Sequence, residues 1–126
     1  MTATQTSEYY DIWALRSWPT LTFDCWHRIR HLTFLPIAQS FLVQRLIHIH
    51  QEAIPRDHPL IEVQSAFGGA AIYVAEYISD ECVYNGWADQ GLWFLREQCE
   101  HVSFNECVRR RAGGGKVFIN PQFQIY

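Results

Sequence analysis

The feature that most constrains the fold is a pair of adjacent glycines, Gly68 and Gly69, inside an apolar run at residues 65–73. Residues 60–64, directly before this run, have the composition of a β-strand. Glycine has no Cβ, so the backbone can approach another group closely at these positions. The sequence therefore predicts a strand that enters a glycine hinge and continues in extended form. The hinge either shapes a ligand pocket or marks a β-bulge or a tight helix–sheet contact.

The chain has 126 residues, of which 48% are hydrophobic and 15% aromatic. This composition is too apolar for disorder, and the length suits one domain. We expect residues 1–8 to be a disordered polar start and residues 9–126 to form the domain. The net charge of −3 gives no reason to expect a nucleic-acid partner. No apolar run is long enough for a membrane span, and no apolar signal region is seen, so we expect a cytoplasmic protein.

Four cysteines bear on the cellular compartment, and they form no C-x-x-C pair. Cys99 and Cys107 share a predicted helix but lie about 12 Å apart along its axis. A disulfide cannot close that distance. We therefore expect reduced thiols at all four positions, which are Cys25, Cys82, Cys99 and Cys107.

The pattern of apolar residues and turn signals alternates between helix and strand, which is typical of an α/β fold. Residues 24–32 can be helical with Thr22 or Asp24 as the N-cap, and residues 36–52 carry apolar side chains at spacings of three and four. A helix is also predicted over residues 92–111, ended by three glycines at 113–115. Residues 116–121 read as a strand that Pro121 stops.

Residues 92–111 can form one or two helical pieces, and Glu100 and His101 lie side by side at a predicted helix start within them. An imidazole that titrates near neutral pH is the usual general base for a hydroxyl group, and a carboxylate is the second choice. The alternative is a solvent-facing glutamate, favoured by the helix dipole in a first turn, beside an ordinary histidine.

Two further groups of side chains could bind ligands. His27 and His31 are four residues apart and share a helix face, but no third ligand clusters with them in the sequence, so we expect no structural metal. Asp11, Trp13 and Arg16 combine a carboxylate, an indole and a guanidinium, a set that suits a sugar site. Tryptophan is equally at home in a hydrophobic core.

Taken in order, four blocks of the sequence resemble the C-terminal half of A-type-fold glycosyltransferases, closest in appearance to a set known from large DNA viruses and microbes. The blocks are YDIWALR at residues 10–16, SAFGGAAIY at 65–73, CEHVSF at 99–104 and KVFINP at 116–121. The resemblance covers roughly residues 9–121. It is fairly specific for the set of four blocks and weak for any single one.

The resemblance implies an α/β sandwich, built as a mixed sheet with flanking helices, that takes a nucleotide-sugar donor and a carbohydrate acceptor. It also implies a divalent cation, Mn²⁺ or Mg²⁺, held by an Asp-x-Asp motif on a strand before the first block. Only nine residues precede Tyr10 here, and none forms that motif. The expected fold is therefore a partial A-type sandwich that lacks the N-terminal nucleotide-binding half.

By the same resemblance, Glu100 and His101 match the acceptor-binding acid and the catalytic base, and Gly68 and Gly69 match the loop that shapes the sugar site. The substrate-binding set is completed by residues of the first two blocks, namely Asp11, Trp13, Arg16 and Phe67. A departure is Asn105, because similar sequences tend to carry histidine there.

We expect a glycosyltransferase-like fragment that carries the acceptor side of a sugar transfer and is inactive without a companion chain or a second copy of itself. One alternative is a non-catalytic carbohydrate- or protein-binding module that uses Trp13, Trp87 and Trp93. Another is a structural remnant with no retained function.

Overall fold

A computed structural model of the chain describes residues 1–6, 8–9, 11–32, 36–87 and 97–125. These residues form a mixed α/β arrangement with a three-stranded sheet and flanking helices, which confirms the predicted fold class at this level. The elements in chain order are β1 (Thr2–Gln5), α1 (Cys25–Leu32), α2 (Pro36–Leu46), β2 (Ile61–Val63), α3 (Glu100–Arg111) and β3 (Val117–Ile125). Short 3₁₀ turns lie at His48–His50 and Ala75–Tyr77.

The sheet has the strand order β1-β3-β2, with β1 parallel and β2 antiparallel to the central strand β3. Strand β3 runs on past Pro121 to Ile125, so the prediction that Pro121 stops it is wrong. The register of β1 against β3 shifts between Thr2 and Thr4. Such an irregularity leaves a residue out of the hydrogen-bond ladder. A proline, which has no N–H to donate, is tolerated at that point.

The polar start is the largest departure from expectation, because residues 2–5 form strand β1 and are not disordered. Thr2, Ala3 and Thr4 are almost fully buried. β1 pairs with β3 on one side, and on the other Ala3 N–H donates to Ala70 O at 2.9 Å. Threonine is β-branched and suits a strand once both edges are covered, and polarity alone did not reveal this.

The helix boundaries follow local signals. Asp24, one of the two N-cap candidates in the sequence, caps α1, since its Oδ1 accepts a hydrogen bond from His27 N–H at 2.8 Å. Helix α2 ends at Leu46, earlier than the predicted residue 52. Helix α3 begins at Glu100; residues 97–99 are not helical, and residues 92–96 of the predicted helix lie outside the described residues. Gly113 and Gly114 have positive φ after α3 and confirm the predicted stop.

The main core lies between the sheet and helices α1 and α2, and a second cluster packs against α3. Buried members of the main core include Tyr9, Ile12, Leu21, Ile29 and Ile119. Within the described residues, no helix has the length and apolar character needed to cross a membrane.

Cys82 and Cys107 form a disulfide with their Cα atoms 5.4 Å apart, so the expectation of four reduced thiols is wrong. The loop that carries Cys82 is also tied to α3 by Ser103, whose Oγ accepts from Asn85 N–H at 3.1 Å and donates to Asn85 O at 2.9 Å. Cys82 and Cys107 lie on different segments, so the spacing of cysteines along one helix does not reveal this pair. Cys25 and Cys99 are free and buried.

Candidate functional site at the start of helix α3

The Glu100–His101 pair occupies the first turn of α3, as predicted, directly after the extended residue Cys99. The Glu100 carboxylate lies 3.4 Å from His101 Nδ1, and the two side chains are 41% and 15% exposed. A carboxylate in the first turn is stabilised by the helix dipole. The pair therefore presents a half-exposed acid against a largely buried imidazole.

A third charged side chain reaches this turn from the beginning of the chain. One ligand atom from each of Asp11, Cys99 and His101 lies within 4.8 Å of the other two. Asp11 Oδ1 accepts a hydrogen bond from Ala14 N–H at 3.0 Å, which holds the carboxylate in place. Burial raises the pKa of Asp11, and the Ala14 hydrogen bond and the charge of His101 partly oppose that rise.

Aromatic rings enclose the imidazole. The Phe67 ring stacks on His101 at a centroid distance of 4.0 Å, and the Tyr84 ring meets it edge-on at 5.2 Å. Phe67 is fixed in turn by its N–H, which donates to Tyr9 Oη at 3.2 Å. These contacts restrict the orientation of the His101 ring.

Cys99 is the member of this cluster that the sequence analysis missed as a functional residue. Its Sγ lies 3.8 Å from His101 Nδ1, and the residue is 1% exposed. Burial, assisted by the negative charges of Asp11 and Glu100, raises the pKa of the Cys99 thiol to about 12. A reactive cysteine needs the opposite shift, so this thiol is not an activated nucleophile. Its position directly before Glu100 was the available signal.

Trp13 and Arg16, two of the predicted substrate-binding residues, are engaged elsewhere. Trp13 Nε1 donates to Asp24 Oδ2 at 2.6 Å, and Arg16 lies 3.3 Å from the same oxygen. Arg16 Nη1 also donates to the carbonyls of Trp13 and Leu15, both at 2.8 Å. These two side chains therefore support the capping residue of α1, and they do not join the Glu100–His101 cluster.

The predicted glycine hinge packs against strand β1. A Cβ on Gly68 would lie 2.1 Å from the carbonyl oxygen of Ala3, and Gly68 N–H donates to Thr2 Oγ1 at 3.1 Å. Gly69 has a φ of +93°, which few other residues adopt. The close approach that the sequence predicted is therefore made to strand β1, whereas the packing contacts weighed from the sequence were a β-bulge and a helix–sheet contact.

Asn105, noted as a departure from the resembling family, is fully buried one turn after His101. Its Nδ2 donates to Ser65 Oγ at 2.9 Å and to Ala66 O at 3.3 Å, while its Oδ1 accepts from Tyr73 Oη at 2.9 Å. The amide thus fastens residues 65–66, which lead to Phe67, onto α3.

A cleft of about 420 Å³ opens beside helix α3. Trp18, 75% exposed, stands at this cleft. The polar side chains that line it are Arg16, Thr22, Gln64, Ser65, Gln98, Glu106 and Arg109. Trp18 is not one of the three tryptophans predicted for a binding module. Of those three, Trp87 is 62% exposed, Trp13 is hydrogen-bonded to Asp24, and Trp93 lies outside the described residues.

The metal expectations can be compared with this geometry. His27 and His31 pack their rings 4.5 Å apart on α1. In the part of the chain that the structure describes, the clustered set of three possible metal-ligating side chains is Asp11, Cys99 and His101. Mn²⁺ and Mg²⁺ prefer oxygen ligands, so a set with one thiol and one imidazole does not fit the cation that the resemblance implied.

Comparisons with protein-family models, with curated proteins and with solved structures find no significant match.

Proposed function

We propose that this chain provides the acceptor side of a sugar transfer from a nucleotide-sugar donor, with His101 taking the proton from the acceptor hydroxyl and Glu100 binding that hydroxyl. One observation carries the proposal. Asp11, Phe67 and the Glu100–His101 pair come from three separate blocks of the sequence, yet they meet at the start of α3. These are four of the eight residues that the family resemblance selects.

The geometry suits general-base catalysis. When His101 accepts a proton, the nearby carboxylates of Glu100 and Asp11 stabilise the imidazolium that forms. Phe67 and Tyr84 cover the ring and limit the access of water. Glu100 is the more exposed of the pair, so it is the side chain that meets an incoming hydroxyl group first.

The donor is assigned to a second protein chain. The sequence contains no Asp-x-Asp motif, and the cluster at α3 does not offer the oxygen ligands that a diphosphate-bound Mn²⁺ or Mg²⁺ requires. Stabilisation of the departing charge is usually the largest contribution to such a transfer. A companion chain, or another copy of this one, would supply it.

The proposal is tested by NMR titration of the isotope-labelled protein with a panel of mono- and oligosaccharides. We expect saturable shifts in residues 65–67 and 99–104, and a loss of affinity of about tenfold, equal to about 1.4 kcal/mol, in Glu100→Gln and His101→Gln. Glu62→Gln is the matched control, because Glu62 is an exposed glutamate that pairs with Lys116 on the sheet. A panel that leaves these resonances unmoved would refute the proposal.

Calorimetric titration with uridine, guanosine and thymidine diphosphate sugars, with and without Mn²⁺, tests the donor assignment separately. We expect neither binding nor turnover by the purified chain. Turnover would place a complete donor site within this chain and would overturn the assignment to a companion.

The cleft beside α3 favours one second candidate, a non-catalytic carbohydrate-binding module. It combines the exposed ring of Trp18 with polar side chains such as Gln98 and Arg109. An aromatic face with surrounding hydrogen-bond donors is suited to a sugar ring. In this case Trp18→Ala and Arg109→Ala would abolish saccharide binding, whereas Glu100→Gln and His101→Gln would leave it intact.

A further inference from the structure

We infer that Asp11, Cys99 and His101 form a binding site for a transition-metal ion of the zinc type. The three side chains offer a carboxylate oxygen, a thiol sulfur and an imidazole nitrogen, all within 4.8 Å of one another. Cys99 and His101 are two residues apart, and Asp11 is brought to them from the other end of the described chain. The site goes beyond the proposed function, because it requires neither sugar nor donor.

The distances are close to those of a tetrahedral centre. With metal–sulfur and metal–nitrogen bonds of about 2.3 and 2.0–2.1 Å, two ligand atoms of a tetrahedron lie about 3.6 Å apart. The observed separation of Cys99 Sγ and His101 Nδ1 is 3.8 Å. The Asp11 carboxylate oxygen lies within 4.8 Å of the other two ligand atoms, so an inward movement of at most about 1.5 Å completes a three-ligand set.

The chemistry of the donors selects the ion. Thiolate and imidazole ligands favour zinc and similar metals, whereas Mg²⁺, Mn²⁺ and Ca²⁺ favour oxygen ligands. The disagreement with the cation implied by the family resemblance is therefore specific: the cluster suits zinc and does not suit manganese.

The surroundings orient the ligands in the way that metal sites require. Ala14 N–H holds the Asp11 carboxylate at 3.0 Å, and the Phe67 ring stacked at 4.0 Å fixes the imidazole plane. Cys99 is buried, which shields the metal–sulfur bond from water. Such second contacts determine ligand direction before the ion arrives.

Three protein ligands leave a fourth position open. Glu100 is outside the set of three, and its carboxylate lies 3.4 Å from His101 Nδ1. With the ion bound, Glu100 is the member of the Glu100–His101 pair that remains free to act as a base. This division of roles rests on the proposed function, whereas metal binding itself does not.

The test uses the full chain, stripped of metal with a chelator and kept free of reductant so that Cys82 and Cys107 stay paired. Zinc affinity is measured by competition with a chromophoric chelator, and Co²⁺ serves as the spectroscopic probe. We expect one equivalent of metal and a thiolate-to-cobalt charge-transfer band in the near ultraviolet. Cys99→Ser should abolish that band, and His101→Gln and Asp11→Asn should each weaken zinc binding at least tenfold.

The matched control is the double variant His27→Gln/His31→Gln, which removes the other close pair of metal-binding side chains. Binding that survives this variant and fails in the cluster variants supports the inference. Absence of zinc binding by the wild-type chain, absence of the charge-transfer band, or a loss of binding only in the α1 double variant would overturn it. Saccharide titrations of the same variants report separately on the proposed function, so the two can fail independently.

Discussion

Removing the disulfide between Cys82 and Cys107 should have a large and calculable effect on stability. The bridge spans 25 residues of sequence. In the chain-entropy treatment, a closed loop of this size lowers the entropy of the unfolded state and so raises the free energy of unfolding by about 3.5 kcal/mol at 25 °C. A domain of this length has a free energy of unfolding of roughly 5–15 kcal/mol, so the double variant Cys82→Ala/Cys107→Ala should lose a substantial part of it.

The measurement is urea unfolding of the wild type and the double variant, each with and without a reductant. We expect the reductant to lower the wild-type midpoint and to leave the variant unchanged. Titration of thiols in denaturant should find two in the unreduced protein, those of Cys25 and Cys99. Four titratable thiols, or a wild-type midpoint that ignores the reductant, would refute the reasoning.

Two further changes test the packing. Gly68→Ala should destabilise the fold by about 2 kcal/mol or more in urea unfolding, because its Cβ would lie 2.1 Å from the Ala3 carbonyl oxygen. The control Gly86→Ala, whose Cβ would have its nearest contact at 3.7 Å, should change stability little. Equal effects of the two substitutions would contradict this reasoning. Burial raises the pKa of the Cys25 thiol from an ordinary 9.0 to about 11, so the unfolded chain loses this proton at a lower pH than the folded chain does. The contribution of the thiol to the free energy of unfolding is therefore complete below pH 9 and is lost as the pH rises towards 11. The stability of wild type relative to Cys25→Ala should therefore fall by on the order of 2 kcal/mol across that range, and a constant difference would count against it.

The parts of the fold that the sequence predicted are those set by local chemistry. Asp24 caps α1 through a hydrogen bond three residues along, and the glycines after α3 adopt a conformation that few other residues can take. Each signal acts within a few residues of its cause.

The parts that could not be predicted depend on contacts between distant segments. Strand β1 is stable because β3 and residues 70–72 cover both its edges, and nothing in its own four residues reveals that. The partner of Cys107 is equally remote in sequence. The sequence offers Asp11 as a sugar-site carboxylate, but only the folded chain shows that it meets Cys99.

Asn105 explains how the core controls the candidate site. Its amide donates hydrogen bonds to Ser65 and Ala66 and accepts one from Tyr73. A neutral imidazole has one donor and one acceptor and could not make all three hydrogen bonds. Because Ser65 and Ala66 lead directly to Phe67, the Asn105 amide contributes to the position of the Phe67 ring against His101. Asn105 therefore contributes to the position of Phe67, and the imidazole on which the Phe67 ring stacks is that of His101.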